Sequence, residues 1–403
     1  MTTGREVGPE GDPSEDAHTH DQVNATTDPL AGGGDNAVGR EGLQGVRSQT
    51  NATVGTRGGR RGSGEGGSGR RRGGRRGGGR GDRSMVPEAE FTSYYGRPIV
   101  KPSPWEADIP AYLFAGGLAA GSSILAAGAD LTGRPTMRRS GRLVSIGALG
   151  FSMVALVHDL GTPSRFYNML RVAKPTSPMS MGTWILSAYG AFAGAATAAE
   201  AARMLPPRWR TRGPLRRPLA LLPYVDRPAG VLAAVVAPAV ASYTAVLLSD
   251  TATPSWHSAY RELPFVFVGS AAAASSGMAM ITAPTSEAGP ARRLAVAGAA
   301  FELVMEHRME QTMGITAEPL HQGQAGRLMR AAKALTVAGA AGSLLAGRSR
   351  ALSVLSGAAL MAGSACTRFG VFEAGQASAK DPKYTVVPQR ERLEREGPVR
   401  HPG

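Results

Sequence analysis

The segment HDLGTPSRFYNMLRVAKPTSPMSMGTW (158–184), which joins two apolar blocks, carries more functional groups than a connector needs. It begins with His158 and Asp159. An imidazole beside a carboxylate can hold and release protons near neutral pH, because the acid orients the ring and tunes its pKa. The same pair has a structural explanation, in which His158 is a cation at a helix C-terminus and Asp159 pairs with Arg165. The residues alone therefore allow both proton exchange and helix capping.

A second pair of titratable groups lies in AFELVMEHRMEQTMG (300–314), where Glu302 and Glu306 are four residues apart. This spacing places both carboxylates on one helix face. Acids inside a membrane are costly and usually face a cavity or a partner, so the pair predicts a proton path or a pairing with Arg308. The alternative is that the apolar block ends before Glu302.

A third group precedes and enters the first apolar block and comprises Trp105, Glu106, Asp108 and Tyr112. Tyr112 could offer its hydroxyl to a ligand because it follows the acids closely. Tyrosines that pack or lie at a membrane interface are the commoner case.

These residues must be positioned by membrane helices. A bilayer core of about 30 Å needs about 20 mainly apolar residues per helix, and two of the blocks are shorter than that. Gly and Ala crowd the blocks, as expected for closely packed membrane helices. The predicted fold is an all-α, polytopic membrane bundle of about eight transmembrane helices. The blocks are 109–129, 143–158, 179–204, 229–249, 263–283, 294–307, 328–346 and 351–372.

An even number of spans sorts the loops into two sets at opposite membrane faces. One set contains the acids, the imidazoles and most of the tryptophans, including the 158–184 segment. The other is dense in arginine, which predicts that it is cytoplasmic. Its arginines are Arg134, Arg138, Arg139, Arg142, Arg208, Arg210, Arg212, Arg216, Arg217, Arg292, Arg293, Arg348 and Arg350.

Composition divides the chain into three parts. Residues 1–90 are predicted to be a disordered Gly/Arg-rich tail, residues 91–375 the membrane bundle, and residues 376–403 a polar C-terminal tail. Much of the formal net charge of +14 lies in the run at 57–83. A basic tail without aromatic residues is typical of unspecific electrostatic contact near a membrane surface, so we expect no nucleic-acid partner.

The cysteine content limits the redox chemistry of this chain. Cys366 is the single cysteine, which excludes an internal disulfide and an Fe–S cluster held by this chain alone. We expect no metal site and no bound haem, because His158 and His307 both lie near one face. Serine-nucleophile, phosphate-loop and HExxH motifs are also missing from the sequence.

The 158–184 segment resembles the loop between the second and third spans of the NrfD/PsrC family of membrane subunits. WEADIPAYLFAGGLAAGSSILAAGADLTGRP (105–135) is similar to that family's first span. The resemblance extends roughly over 91–372, and eight spans agree with it. One departure is that some members use Asn and His for quinone contacts in the first helix, where this chain has Glu106 and Tyr112.

The resemblance implies a quinone-interacting membrane anchor in a polysulfide-reductase-like or formate-dehydrogenase-like respiratory complex of the inner cell membrane. Menaquinone or ubiquinone would be an exchangeable substrate, and electrons would pass to or from an Fe–S subunit that serves a molybdopterin subunit. The active site for the final substrate would lie on another chain. Catalytic roles are expected for His158 and Asp159, and quinone contacts for these two with Trp105, Glu106, Tyr112 and Arg165.

Two other functions are compatible with the residues. Eight helices with buried acids could form a transport path, although no matched pair of broken helices is visible. The chain could also be a membrane scaffold whose basic tail recruits partners.

Overall fold

The computed structural model describes residues 97–206 and 216–396, and within these ranges the chain is helical without strands. The predicted tail at 1–90 and three of the predicted cytoplasmic arginines, Arg208, Arg210 and Arg212, lie outside the described residues.

Eight long helices follow one another in the described ranges. Short helical turns at Pro163–Arg165, Asn168–Arg171, Pro254–Ser258 and Gly314–Leu320 lie in the connections between them. A ninth, polar helix follows the eighth. The long helices are α1 (Asp108–Leu131), α2 (Pro135–Asp159), α3 (Pro178–Met204), α4 (Arg216–Ser249), α5 (Leu263–Thr282), α6 (Gly289–Met313), α7 (Gly323–Leu345) and α8 (Arg350–Lys380), and the ninth is α9 (Lys383–Glu396).

The helix starts follow from local sequence. Proline lies in the first turn of α2, α3, α5 and α6, where its missing N–H costs no hydrogen bond and its fixed φ suits a helix. Ser177 and Ser349 cap α3 and α8 by accepting from Ser180 N and Leu352 N.

Each predicted apolar block overlaps one of the eight helices, although 263–283 and 328–346 each end one residue beyond their helix, and several other bounds were wrong. Helix α2 begins at Pro135 rather than at 143, and α6 spans Gly289–Met313 rather than 294–307, with Glu302 and Glu306 inside the helix in both cases. The predicted interfacial piece after Pro214 is, from Arg216 onward, the first part of α4, which continues through three internal prolines. A hydrophobicity criterion missed these turns because some of their charged residues, including Arg142, Asp226 and Glu310, are paired with residues of other helices.

Five helical segments are long and apolar enough to cross a membrane: α1, α2, Ala220–Ser249 of α4, α5 and α8. Helices α3, α6 and α7 reach similar lengths but are not among these five. The fold is thus an all-α membrane bundle with eight long helices in the described ranges, five of which qualify as spans by composition.

Close helix contacts hold the bundle together. The most extensive pairings are α7 with α8, α1 with α2, α5 with α6, and α3 with α4, and α1 and α4 also pack against α5. At the α5–α8 crossing a Cβ on Gly277 would fall on the carbonyl oxygen of Gly357 and lie 3.1 Å from Leu360 Cβ. Small residues allow this backbone approach, as predicted from the Gly and Ala content.

Side-chain contacts gather the loops into two ends. At one end, the cavity end, Gln376 Nε2 donates to Ser103 O at 3.0 Å and Ser255 Oγ donates to Thr316 O at 2.8 Å. At the other end, the arginine end, Met137 N donates to Glu287 Oε2 at 2.9 Å. These contacts agree with the sorting of loops that an even number of spans predicts.

Helix α9 is tied to the cavity end through Glu318. Lys383 Nζ lies 2.6 Å from Glu318 Oε2, and Tyr384 Oη donates to the same oxygen at 3.3 Å. The hydrogen bond from Lys383 holds the pKa of the Glu318 carboxyl below its usual value. Part of the predicted polar tail is therefore an anchored helix.

This anchor should release in acid. Because the pKa of Glu318 is lowered in the folded chain, its contribution is complete above the ordinary glutamate pKa of about 4.3 and is lost as the pH falls further. A nitroxide on Arg392→Cys, in a Cys366→Ser background, should gain mobility below about pH 4 by electron paramagnetic resonance. In Glu318→Gln the label should be mobile at every pH. A label that is immobile at all pH values in both proteins would contradict the prediction.

Candidate functional site

A cavity of about 300 Å³ lies at the cavity end of the bundle between α1, α2, α3 and α4, beneath the 160–177 connection. This volume is at the lower end of the range for small-molecule sites. Its lining is mainly apolar. The apolar walls include Leu149, Met153, Leu156, Met169, Leu186 and Leu247.

A few polar side chains interrupt this lining. Trp105, Tyr112, Asp159, Thr183 and Tyr243 all line the cavity. Tyr112 is 1% exposed, and Asp159 is half-buried. The backbone of Glu106 lies close to the Asp159 carboxylate, which places that carboxylate beside the start of α1. An apolar slot with a carboxylate and tyrosines suits a flat, lipid-soluble ligand with polar oxygens.

The connection above the cavity is held in place by hydrogen bonds between its backbone and side chains of α3. Trp184 Nε1 and Ser180 Oγ both donate to Val172 O, at 3.1 Å and 2.8 Å. Ser180 Oγ also accepts from Lys174 N at 2.9 Å. Phe166 from this connection lines the cavity, so the 158–184 segment forms part of the cavity wall instead of only joining two helices.

The structure separates two residues that the sequence analysis assigned to one function. Asp159 lines the cavity, but His158 is outside the lining and its side chain is 77% exposed. His158 Nδ1 lies 2.7 Å from Asp108 Oδ2. The sequence analysis gave Asp159 the role of orienting His158, but the carboxylate that contacts the His158 ring is that of Asp108.

The other residues expected at the quinone site are placed as follows. Trp105 and Tyr112 line the cavity together with Asp159. Glu106 is exposed and reaches the site through its backbone. Arg165 ends the turn Pro163–Arg165, and its side chain lies outside the described part of the chain.

An aromatic stack supports Trp105 from behind. The rings of Trp105 and Trp256 are 5.9 Å apart, and those of Trp256 and Phe372 are 5.5 Å apart. Trp256 Nε1 donates to Val371 O at 2.8 Å. The stack connects the cavity wall to α8, so Trp105 is held by packing on the α5–α8 side of the bundle.

Residues 99–293 match the sequence profile of the family described as polysulphide reductase, NrfD. The chain belongs to the NrfD family. No curated protein matches the chain. Family membership and the apolar helices identify a multi-pass membrane protein of the polysulfide-reductase-like type, and members of the NrfD family are generally membrane subunits that are partnered with other redox subunits.

In this NrfD-family chain, Glu302 and Glu306 lie away from the cavity lining, within the bundle formed by α5 to α8. They are 1% and 2% exposed. Glu302 Oε1 accepts from Thr367 Oγ1 at 2.8 Å, and Glu306 Oε1 lies 3.5 Å from Lys333 Nζ. Lys333 also pairs with the partly exposed Glu310 at 2.9 Å, so acidic side chains continue along α6 towards the cavity end.

Near Glu302 lies an arginine that pairs with no carboxylate among the residues that the structure describes. Arg368 is fully buried on α8, and its Nη2 donates to Phe267 O at 2.8 Å. Its guanidinium also lies 3.8 Å above the Phe267 ring. The sequence analysis did not single out this residue, although an arginine within an apolar block is a signal of a specific partner.

Sequence reasoning also missed a buried ion cluster near the arginine end, here named the Arg142 cluster. Glu200 Oε2 accepts from Arg138 Nε and Arg142 Nη1, each at 3.0 Å. Arg142 Nη1 also donates to Asp226 Oδ1 at 2.5 Å, and Arg203 pairs with both acids. Two buried acids thus offset three arginines, of which Arg138 and Arg142 had been assigned to a membrane face from sequence.

Proposed function

We propose that this chain is the quinone-reactive membrane subunit of a respiratory oxidoreductase complex in the inner cell membrane. The observation that carries the proposal is the mainly apolar cavity at the end of α1 to α4, with Asp159, Tyr112 and Trp105 in its wall. Menaquinone and ubiquinone have flat rings with two carbonyl oxygens and an apolar tail, which match such a lining. The membrane helices give a ligand of this kind direct access from lipid.

The geometry suggests distinct roles for the cavity residues. Conversion between a quinone and a quinol moves two protons with two electrons, so a group that exchanges protons is needed at a carbonyl oxygen. Asp159 is placed for this role because it is half-buried in the cavity wall. Tyr112 and Trp105 would orient the ring through a hydroxyl and an aromatic face.

His158 suits a role between the cavity and water. Its ring is exposed and paired with Asp108, and it directly precedes Asp159 in the chain. An exposed imidazole of this kind can pass protons to solvent. Glu106 follows Trp105 in the chain, and Arg165 precedes Phe166. Because Trp105 and Phe166 line the cavity, Glu106 and Arg165 are proposed to contact the quinone at the cavity entrance.

Glu302 and Glu306 are proposed as a separate proton path. They occupy one face of α6, and Lys333 and Glu310 extend the series towards His321, whose Nε2 is 3.9 Å from Glu310. Buried membrane acids usually serve such pathways or a partner.

The partners follow from the same proposal. Electrons would pass to or from an Fe–S subunit docked at the cavity end, and through it to a molybdopterin subunit. The substrate of the complex would be converted on that other chain.

Quinone binding can be tested through the cavity wall. Gly190 lines the cavity, and a Cβ at this position would lie 3.4 Å from Leu149 Cδ2, whereas Gly194 lies one turn further along α3 with open space around it. Gly190→Leu should fill the cavity and weaken binding of a short-chain quinone at least about ten-fold, or about 1.4 kcal/mol. Gly194→Leu is the matched control and should leave the dissociation constant unchanged.

Binding can be measured by quenching of tryptophan fluorescence, since Trp105 lines the cavity. The purified complex would be titrated with decylubiquinone and with a short-chain naphthoquinone. Trp105→Phe should remove most of the quenching. Equal dissociation constants for the two leucine variants would contradict a quinone site in this cavity.

A further inference from the structure

The guanidinium of Arg142 is only partly satisfied by the Arg142 cluster. Its side chain is 4% exposed. Nη1 donates to Glu200 and Asp226, but Nη2 is buried and has no hydrogen-bond partner among the described residues. A buried donor of this kind is costly unless something accepts from it.

A small void lies beside Arg142. Its volume is about 10 Å³, and its wall contains the side chains of Arg142, Ser123, Ser145 and Thr197. Alanines and one glycine from α1, α3 and α4 form the rest. A polar void of about 10–15 Å³ can hold a single water molecule when two to four polar partners surround it.

The serine hydroxyls in the wall of the void have acceptor capacity left. Ser123 Oγ, Ser145 Oγ and Tyr189 Oη form a triangle with three separations of 2.8 Å. Tyr189 Oη also donates to Ala119 O at 2.6 Å, so its proton is not available to the serines. Each serine has one proton and two lone pairs, which leaves oxygen lone pairs that can accept from a further donor.

We propose that the void beside Arg142 binds one water molecule, which accepts a hydrogen bond from Arg142 Nη2 and donates to the Ser123 and Ser145 hydroxyls. Arg142 and the two serines give this water three partners, while Thr197 Oγ1 in the wall donates its proton to Arg142 O at 3.1 Å. Three partners are the usual number for a buried water.

This water changes how the bundle is connected. The Arg142 cluster joins α2, α3 and α4, and the Tyr189 triangle joins α1, α2 and α3. The water links the two sets into one hydrogen-bonded column that begins at the buried acids and ends at Ala119. The inference does not depend on the function proposed above.

A pair of isosteric variants tests for the water. Ala233 lines the void and is 2% exposed, so Ala233→Val and Ala233→Thr fill it equally and displace any water. The threonine hydroxyl can accept from Arg142 Nη2, and valine cannot. We expect the threonine variant to unfold at a temperature about 3 °C or more above that of the valine variant in mild detergent.

A second void of about 10 Å³ supplies the control. It is lined by Ala279 and lies beside Met137 and Leu125. Its wall contains none of the buried polar atoms that lack a partner. There, Ala279→Thr should be no more stable than Ala279→Val. If Ala233→Val is at least as stable as Ala233→Thr, the void beside Arg142 is dry and the proposal is wrong.

A density map of the full chain provides a test that does not depend on the variants. At a resolution that shows ordered water, a peak is expected about 3 Å from both Arg142 Nη2 and a serine oxygen. An empty void, or Arg142 Nη2 bonded directly to a protein oxygen, would overturn the assignment.

Discussion

Asp159→Asn is expected to lower quinone-dependent electron transfer by about 10²- to 10⁴-fold, the usual contribution of a group that exchanges protons in the rate-limiting step. Asparagine keeps the size and polarity of the side chain but cannot take up a proton. The dissociation constant of the quinone should therefore change by no more than about two-fold, so that the loss falls on the turnover number. Turnover would be measured with the complex purified together with its redox subunits, and binding by tryptophan quenching.

Two further variants test whether the loss of turnover is specific to Asp159. Asp250→Asn makes the same change at an exposed acid directly after α4 and should leave turnover intact. His158→Gln removes the exposed imidazole and should have a smaller effect than Asp159→Asn, because His158 lies outside the cavity lining. If His158→Gln stops turnover while Asp159→Asn does not, the histidine is the proton-exchanging group and the role proposed for Asp159 is wrong.

Glu200→Gln should be the most destabilising of the variants considered, with a loss of about 3–5 kcal/mol in the free energy of unfolding. The Glu200 carboxylate accepts hydrogen bonds from Arg138, Arg142 and Arg203. Glutamine removes the negative charge, so that the three guanidinium groups keep ion pairs only with Asp226 and Asp130. An uncompensated buried charge costs more than the pairing itself contributes.

The loss can be measured by titration with a denaturing detergent, followed by the helical circular dichroism signal. Glu391→Gln, at an exposed acid on α9, is the control and should not shift the transition. Glu200→Asp retains the charge and should recover part of the stability. A transition for Glu200→Gln that coincides with that of the unaltered chain would show that the Arg142 cluster contributes little.

The sequence predicted the helices well because their main signal, a long apolar block, depends on local composition alone. It failed at the helix ends that carry charge. Arg138 and Arg142 lie in the first turns of α2 and Glu310 lies in the last turn of α6, in each case with a partner on another helix. A hydropathy average counts every charge as unfavourable. It cannot take into account a distant residue that offsets the free-energy cost of burying that charge.

The candidate site was predictable in its location but not in its detail. The 158–184 segment does form part of the cavity wall with Trp105 and Tyr112. The mutual roles of His158 and Asp159 could not be read from adjacency, since neighbouring residues of a helix point about 100° apart. The pairing of His158 with Asp108 depends on how α1 packs against α2, which needs three-dimensional contacts.

Two acids on other helices, Glu200 and Asp226, were also missed. Each stands alone in its stretch of sequence, without the i, i+4 spacing that drew attention to Glu302 and Glu306. A charged residue inside a membrane-length helix is itself a signal of a specific partner. Applied to every block, that rule would have found Glu200 and Arg368.

The uneven composition of the helices has a consequence for how the chain enters a membrane. Helices α6 and α7 are not among the five segments apolar enough to cross alone, and they carry charges that meet in the pairs of Lys333 with Glu306 and Glu310. A helix with unpaired charges partitions poorly into lipid, whereas a hairpin with its charges matched does so more readily. We therefore expect α6 and α7 to enter the membrane together as a hairpin, between the more apolar helices α5 and α8.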